Sequence, residues 1–412
     1  MGKRKNTNKE KLDYGINRPA EKPESIRGSD LSDLESIAYS SIAGDVDTQV
    51  GDEEDFEEDV LQEKISENVV NALDKRVNIR LKAMGILNEA LKRHYMAEKI
   101  FKWKSSLCEI VDKNIKRSVE ETMQACILAS MLSIQLGMEI ENDVAEILVH
   151  MRQLCSDPSK PEAMRIACAQ SIGICAYFSA DQPNVIYDCV TSLKNVWTSF
   201  KNVNAPVGLY STVLSSWAML LNQCNPSIIF TAIAESQPKL CLFLEASSVE
   251  VRIAAGEVLA CLYEMAHNSN SEFRFHNHFD LEETLSSLAV DSLKQHAKRD
   301  KKVQKLTFRQ INDTIFHEKT PQVQIRFNKL ETLTIEACHS KLVYDHLCQL
   351  LQGNINAHLT ENAIIREVFD LGPIVEEKVL TKADKMERVY VQKCMDKARN
   401  IHRAKQRDKK AF

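Results

Sequence analysis

Apolar residues recur every three or four positions from about residue 60 to about residue 320, which is the period of amphipathic α-helices. Five segments share one signature: a polar residue, a small residue (leucine in one copy) three positions later, and an aliphatic or small residue four positions further on. The signature occurs at Arg80-Ala83-Leu87, Thr122-Ala125-Ala129, Arg165-Cys168-Ile172, Ser211-Leu214-Ala218 and Arg252-Ala255-Leu259. The first residues of the copies are spaced by 42, 43, 46 and 41 positions. This spacing lies in or near the range of HEAT and armadillo repeats.

A helical hairpin exposes an apolar face that the next hairpin covers, so such units stack into a continuous core. Small residues where helices cross allow ordinary interaxial distances. The pattern therefore predicts an all-α fold, in which a HEAT/armadillo-like helical-repeat superhelix spans residues 58–320. Only 12 glycines and 10 prolines occur in 412 residues, which also favours helices.

Two further regions follow the repeats. Residues 321–375 are predicted to form a small, mostly helical domain. It begins with the alternating Val323-Ile325-Phe327, which predicts an extended segment, and ends at Leu371-Gly372-Pro373. Residues 376–412 form a basic helix or tail, because small and apolar residues recur there at helical spacing between Ala383 and Ile401.

Residues 1–57 combine low hydrophobicity with high charge, including the acidic run Asp52–Asp55. Such a segment cannot bury enough apolar surface to offset the entropy of ordering, so a disordered acidic tail is predicted. Two interpretations of its charge stay open: a solubilising tail, or a contact with a basic partner.

The net charge of −5 conceals a polarised chain. Residues 1–60 hold eight Lys or Arg against sixteen Asp or Glu, whereas residues 382–410 hold eleven against four. Asymmetry of this kind is typical of interaction tails.

The basic end is the strongest candidate for a nucleic-acid-binding site, because phosphates attract dense positive charge without sequence recognition. Its candidate residues are Lys393, Lys397, Arg399, Arg403, Lys405, Arg407, Lys409 and Lys410. A nuclear import signal and a solvated tail are the alternatives. A secondary basic patch precedes the amphipathic run Leu306-Phe308-Ile311-Ile315 and consists of Lys298, Arg299, Lys301, Lys302 and Lys305.

Motifs for catalysis, nucleotide binding or metal binding do not occur in the sequence. The nearest metal candidates are His276 with His278, and the set Cys338, His339, His346 and Cys348; neither has standard ligand spacing. Glu257 and Glu264 are interpreted as structural carboxylates. We therefore expect no enzymatic activity, no cofactor, no metal and no small-molecule substrate.

The twelve cysteines include no CxxC pair and lie mostly in apolar helical stretches, which favours reduced, buried thiols. The first residues lack the apolar core of a secretory signal, and no run approaches the length of a membrane span. We expect a cytoplasmic and nuclear protein with no membrane partner.

Several segments together resemble the interferon-related developmental regulator family, in the order in which the family has them. They are Ser133-Ile134-Gln135-Leu136-Gly137, Arg252-Ile253-Ala254-Ala255-Gly256-Glu257, Ala297-Lys298 with Asp300-Lys301, Phe308-Arg309, Arg366-Glu367-Val368-Phe369-Asp370-Leu371-Gly372-Pro373, Lys397-Ala398-Arg399 and Arg403 to Lys409. The resemblance covers residue 60 to the end, although 181–245 match only loosely.

The resemblance implies an armadillo-like, non-catalytic regulator of gene expression in differentiating or stressed cells. Two molecular roles come with it: binding of translationally silent ribosomes, with the basic C-terminal helix in the mRNA path, and transcriptional co-regulation with co-repressor and deacetylase assemblies. Lys397, Arg399, Arg403, Lys405, Arg407 and Lys409 match that helix. Our first hypothesis is a ribosome or RNA binder that restrains translation; the alternative is a nuclear scaffold that contacts co-repressor proteins through its repeat surface.

Overall fold

The computed structural model of the chain describes residues 54–201, 204–290 and 298–374, together with residues 390, 393 and 397. Side chains are described from residue 62 onwards, and from residue 303 in the last long helix. The chain divides into two compact units, Met1–Ser41 and Ile42–Phe412, and every described residue belongs to the second. The predicted acidic tail therefore lies almost wholly outside the described residues.

Long helices dominate the part of the chain between residues 54 and 317, and they come in pairs. In chain order they are α1 (Glu54–Asn71) and α2 (Val77–Arg93); the short α3 (Ala97–Ile100) and the 3-10 turn Phe101–Trp103; α4 (Lys104–Asn114) and α5 (Val119–Leu136); the 3-10 turn Gly137–Ile140; α6 (Glu141–Ser156) and α7 (Glu162–Ser179); α8 (Pro183–Ser199) and α9 (Val207–Leu221); α10 (Pro226–Phe243) and α11 (Val249–Ser269); and α12 (His278–Val290) and α13 (Lys298–His317). The two helices of each pair pack on each other, and each second helix packs on the second helix of the next pair.

The five copies of the signature all lie on second helices, namely α2, α5, α7, α9 and α11. Their small and aliphatic members, from Ala83 and Leu87 to Ala255 and Leu259, are buried at the crossings between neighbouring pairs. The predicted fold class, an all-α armadillo-like helical repeat, is confirmed. A sixth pair, α12 with α13, lacks a recognised copy of the signature.

The repeat length also appears in the hydrogen bonds between neighbouring second helices. Arg80 on α2 donates from Nε to Glu121 Oε1 on α5 at 2.7 Å, across 41 positions of sequence. Ser130 Oγ on α5 lies 2.9 Å from Ser171 Oγ on α7, again 41 positions away. Glu121 also completes a capping box with Ser118 at the start of α5. One carboxylate therefore both starts a helix and joins two repeats.

The stretch Val119–Ser156 is long and apolar enough to cross a membrane by length and composition alone, contrary to what the sequence suggested. In the fold, 72% of its most apolar window is buried. The stretch comprises α5, the 3-10 turn and α6, and α5 packs between the second helices α2 and α7, which explains a composition rich in Ala, Leu and Ile.

A small C-terminal region follows the repeats. Strands β1 (Val323–Arg326) and β2 (Thr332–Ile335) form an antiparallel hairpin in which Val323 pairs with Ile335. The helices α14 (Cys338–Leu351), α15 (Ile355–Glu361) and α16 (Ala363–Val368) come next, with the 3-10 turn Gln352–Asn354 between the first two. Helix α14 contacts the second helices α2, α5, α9 and α11, and α16 contacts α5. The C-terminal region therefore lies along the face that the second helices form.

Three boundaries differ from those drawn on the sequence. Helix α1 begins at Glu54, inside the segment assigned to the tail. The extended segment at Val323 has a partner strand that the sequence did not indicate. Phe327 lies just beyond β1 and is buried instead.

Candidate nucleic-acid interface

Two of the eight predicted basic tail residues, Lys393 and Lys397, lie within the part of the chain that the structure describes. Both are helical and exposed, as is Tyr390, which exposes 70% of its surface. Spacings of three and four positions place these three residues on one helix face. The other six, Arg399, Arg403, Lys405, Arg407, Lys409 and Lys410, lie outside the described residues.

The secondary basic patch lies at the start of α13. Lys298, Arg299, Lys301 and Lys302 belong to its helical backbone, and Lys305 is half-buried. Gln304, beside it, is buried and accepts a hydrogen bond from Arg252 Nη2 at 2.7 Å.

Arg366 organises the segment that leads toward the basic tail. Its guanidinium donates to the carbonyl oxygens of residues 359, 360, 371, 372 and 373, at 2.9–3.2 Å. It also forms an ion pair with Glu331, with Nη2 2.6 Å from Oε1. The hydrogen bond from Arg366 holds the pKa of Glu331 below its usual range. A single buried side chain thus fixes the turn Leu371–Pro373 against α15 and the β-hairpin.

The start of α14 is held by a carboxylate from another helix. Ala337, its N-cap residue, provides no side-chain cap. Instead, Glu264 on α11 accepts hydrogen bonds from the backbone N–H groups of Cys338 at 2.8 Å and His339 at 3.2 Å. An anion at a helix N-terminus satisfies free donors and interacts favourably with the dipole. Glu264 is therefore a structural carboxylate, in line with its interpretation from the sequence.

Glu257 lies seven positions before Glu264, about two helical turns earlier on α11, and lines two solvent-open pockets beside α14. Lys341 Nζ lies 3.6 Å from Glu257 Oε1 and 2.9 Å from Asp345 Oδ2. Burial raises the pKa of Glu257, although Lys341 opposes the shift. The cluster joins α11 to α14.

Histidines of α14 and α15 make buried polar contacts with the second helices. His346 Nδ1 lies 2.9 Å from the Leu342 carbonyl oxygen, so Nδ1 carries the proton and Nε2 accepts from Ser216 Oγ at 3.2 Å. His358 Nε2 donates to the Lys92 carbonyl at 2.9 Å. Burial lowers the pKa of both imidazoles, to about 4 for His358.

The residues of the two candidate metal sites also have neighbours of their own in the fold. His339 Nε2 lies 3.3 Å from the Met219 carbonyl, and the imidazole of His278 packs against Phe316. Among the described residues, no group of three or more His, Cys, Asp or Glu side chains is arranged to hold a metal ion. Cys338, His339, His346 and Cys348 point to different neighbours rather than to one centre.

Eleven cysteines fall within the described residues, and all are free thiols. Cys126 and Cys168 occupy neighbouring second helices with their sulfur atoms 3.8 Å apart. Burial raises the pKa of Cys155 and of Cys189 to about 12. Such thiols are poor nucleophiles and act as small apolar core residues.

The contacts that hold the C-terminal region in place were not identified from the sequence. Arg366 was visible only as part of a family motif, and Glu331, Glu264 and His358 carried no local signal for their contacts. Their partners lie tens to hundreds of positions away, with 266 positions between His358 and Lys92. An arginine directly after the apolar Ala363-Ile364-Ile365 is the one cue that could have suggested a buried ion pair.

Stacked helix pairs with a C-terminal region docked on their second helices place the chain in the class of helical-repeat proteins. Comparison with known families is more specific. The interferon-related developmental regulator model matches residues 25–316, and the model of the interferon-related protein conserved region matches residues 362–411. The chain belongs to the interferon-related developmental regulator family.

Individual relatives agree with this assignment. The chain is 31% identical over 382 residues to interferon-related developmental regulator 1 of Sus scrofa, with 88% of this chain and 84% of that protein covered. It is 28% identical over 402 residues to interferon-related developmental regulator 2 of Mus musculus, with 93% and 90% covered. Among solved structures, a designed armadillo repeat protein aligns with a TM-score of 0.37 at 14% identity, over 59% of this chain and 99% of that chain.

Proposed function

We propose that this protein is a non-catalytic regulator of gene expression that binds ribosomes or RNA through its basic C-terminal helix and thereby restrains translation. The relatives are named as developmental regulators, which supports a role in differentiation. The finer mechanism rests on the charge and position of the C-terminal stretch. Cytoplasmic and nuclear localisation is part of the same proposal.

One observation supports the proposal most directly: the residue that holds the C-terminal region in place and the cationic stretch belong to the same segment of the chain. The family region 362–411 contains both Arg366, whose buried ion pair fixes residues 371–373, and the basic residues from Lys393 to Lys410. Lys393 and Lys397 are exposed on one helix face. A rigid base with adjacent positive charge suits a phosphate backbone, whose binding releases counterions and needs no base recognition.

Sedimentation tests the proposal directly. The full chain is added to purified ribosomes and centrifuged through a sucrose gradient at two salt concentrations. We expect co-sedimentation that weakens as salt rises, and its loss in the triple variant Arg403→Glu, Lys405→Glu, Arg407→Glu.

The matched control carries the same charge change elsewhere. Lys75, Lys82 and Lys201 are exposed on the repeats, and the variant with glutamate at all three should sediment like the wild type. Unchanged co-sedimentation of the tail variant would remove the tail from the mechanism.

The second candidate is a nuclear scaffold that contacts co-repressor proteins through the repeat surface. The C-terminal region covers the face formed by the second helices, so this role would use the first helices. Val149 on α6, Tyr187 on α8 and Leu242 on α10 expose 40%, 48% and 56% of their surfaces there. Replacing all three by serine should abolish capture of co-repressor subunits, whereas the tail variant should retain it.

A further inference from the structure

The connection between the first two helix pairs differs from the other connections in composition. Residues 92–104 contain five Lys or Arg residues and one Glu, together with four ring-bearing side chains. In the order of the chain they are Lys92, Arg93, His94, Tyr95, Glu98, Lys99, Phe101, Lys102, Trp103 and Lys104. Lysine and aromatic residues alternate from 101 to 104, which the basic C-terminal stretch, poor in aromatics, does not do.

Exposure separates these aromatic residues from the rest of the core. Of the three tryptophans in the chain, Trp197 and Trp217 are completely buried, whereas Trp103 is partly exposed. Phe101 exposes 45% of its surface. The 3-10 turn Phe101–Trp103 contains no buried residue. Packing between the helix pairs therefore does not account for two large aromatic side chains at this position.

The ammonium group of a lysine lies over each of the two rings. Lys102 Nζ lies 4.1 Å from the ring centroid of Trp103, and Lys104 Nζ lies 4.5 Å from that of Phe101. Further contacts hold the lysines in place: Lys102 Nζ donates to Gln62 Oε1 at 3.3 Å. Lys104 Nζ donates to the Glu139 carbonyl at 3.3 Å and forms an exposed ion pair with Glu139 Oε2 at 3.5 Å. The ammonium groups and the aromatic planes thus form one ordered cluster, which we call the aromatic–lysine turn (residues 101–104).

We propose that the aromatic–lysine turn binds single-stranded RNA, with bases stacked on Trp103 and Phe101 and phosphates contacted by Lys102 and Lys104. Single-stranded nucleic acid is the ligand that uses both halves of the cluster, because every base offers a flat π-face and every nucleotide a negative charge. An acidic peptide would use the lysines and leave the rings without a role. The inference rests on the proposed function for its ligand class, and it adds a second contact site separate from the tail.

The position of the turn fits such a second contact. The same connection holds the C-terminal region: His358 donates to the Lys92 carbonyl, and the Ala363 backbone N–H donates to the hydroxyl of Tyr95. Helix α16, which Ala363 begins, contains Arg366 and therefore the anchor of residues 371–373. The aromatic–lysine turn and residues 371–373, which Arg366 holds, thus belong to one contiguous part of the molecule.

Binding of a fluorescein-labelled twelve-nucleotide poly-U RNA to the full chain tests the proposal. We expect Phe101→Ala and Trp103→Ala each to weaken binding by about 5- to 150-fold, the range seen when one stacking side chain is removed. Lys102→Gln with Lys104→Gln removes two phosphate contacts and should reduce the slope of log Kd against log salt by about 1.4, at about 0.7 per phosphate for single strands. Poly-U should also quench tryptophan fluorescence in the wild type but not in Trp103→Phe, which retains a ring for stacking.

Tyr187→Ala is the matched control, because Tyr187 is exposed to a similar degree but has no lysine over its ring among the contacts described. Its affinity for poly-U should equal that of the wild type. Unchanged affinity in both aromatic variants would overturn the proposal, as would a loss confined to the lysine variant. Displacement of the RNA by poly-glutamate of equal charge, at equal concentration, would also overturn it in favour of an acidic peptide.

The design separates this inference from the proposed function. The aromatic variants are compared in the wild-type chain and in the chain with the tail triple variant. If the tail variant still sediments with ribosomes while the aromatic variants lose poly-U, the proposed function of the tail fails and the aromatic–lysine turn stands. If only the tail variant loses RNA, the proposed function of the tail stands and the aromatic–lysine turn fails as an RNA-binding site.

Discussion

Arg366 and Glu331 form a buried ion pair in which Nη2 lies 2.6 Å from Oε1, with the two side chains only 3% and 11% exposed. The pair joins the β-hairpin to α16, and the same guanidinium binds five backbone carbonyls. Few side chains have so many partners, because only the planar fork of arginine offers five donors in fixed directions. The contact therefore holds the C-terminal region together and fixes residues 371–373, from which the chain continues toward the basic stretch.

Replacing Arg366 by alanine should destabilise the protein by about 3–5 kcal/mol, because it leaves a buried carboxylate and several carbonyls without donors. Arg366→Lys should recover little of this loss, since one ammonium cannot reach both Glu331 and the turn. Urea unfolding gives the free energy, and hydrogen exchange of residues 359–374 locates the effect. Lysine restoring wild-type stability would show that charge alone, rather than the fork, holds the segment.

Two glycines on second helices should respond in opposite directions to alanine. A Cβ at Gly256 would lie 2.8 Å from Ile311 Cδ1 and 2.9 Å from Phe308 Cε1 where α11 crosses α13. We expect Gly256→Ala to cost about 1–3 kcal/mol through overpacking. Nothing lies within 4 Å of a Cβ at Gly85 in α2. Gly85→Ala should therefore stabilise by about 0.5–1 kcal/mol through helix propensity. Thermal melting of both variants checks the signs, and equal signs would contradict the packing account.

The sequence predicted the second helices of five repeats because each crossing needs a small residue at a fixed place, so the repeat length is visible in the chain. The sixth pair falls inside the predicted repeat region, but it carries no recognised copy of the signature, since Gln304, which bonds with Arg252, lies 52 positions further on rather than about 42. The docking of α14 to α16 was not predictable. It depends on contacts such as Asn362 Nδ2 to the Ile134 carbonyl, 2.8 Å long and 228 positions apart, which leave no periodic pattern. The basic candidates were found from charge alone, and the partly exposed Trp103 could be distinguished from Trp197 and Trp217 only in the fold.

The contact between Glu264 and the start of α14 predicts a double-mutant coupling. Glu264→Gln should destabilise by about 1–2 kcal/mol, because one amide oxygen replaces a charged acceptor for two N–H groups. Ala337→Ser supplies a local N-cap, worth about 1 kcal/mol. The serine should stabilise the Glu264→Gln variant more than the wild type, as measured by urea unfolding. Equal gains in both backgrounds would show that Glu264 does not act as the cap.

The buried histidines predict that stability falls in mildly acidic solution. The pKa of His358 in the fold is about 4, below the value near 6.5 of an unfolded histidine, because burial disfavours the charged imidazolium. Between these two pH values the unfolded chain binds a proton that the folded chain does not. The stabilisation is therefore complete above about pH 6.5 and is lost as pH falls toward 4.

His358→Gln tests this window. A glutamine amide can still donate to the Lys92 carbonyl but does not titrate, so the variant should lose about 2 kcal/mol less than the wild type between pH 7.5 and pH 5, at about 1.4 kcal/mol per pH unit below about pH 6.5. Glu331 has a lowered pKa, so the stability that it contributes is lost only as pH falls from its ordinary pKa of 4.5 toward the lower folded pKa. The histidine contribution is already lost between pH 6.5 and 5. Urea unfolding at pH 7.5, 6.0 and 5.0 measures the slope. Identical slopes in wild type and variant would mean that His358 remains uncharged in the unfolded chain or is not buried in the fold.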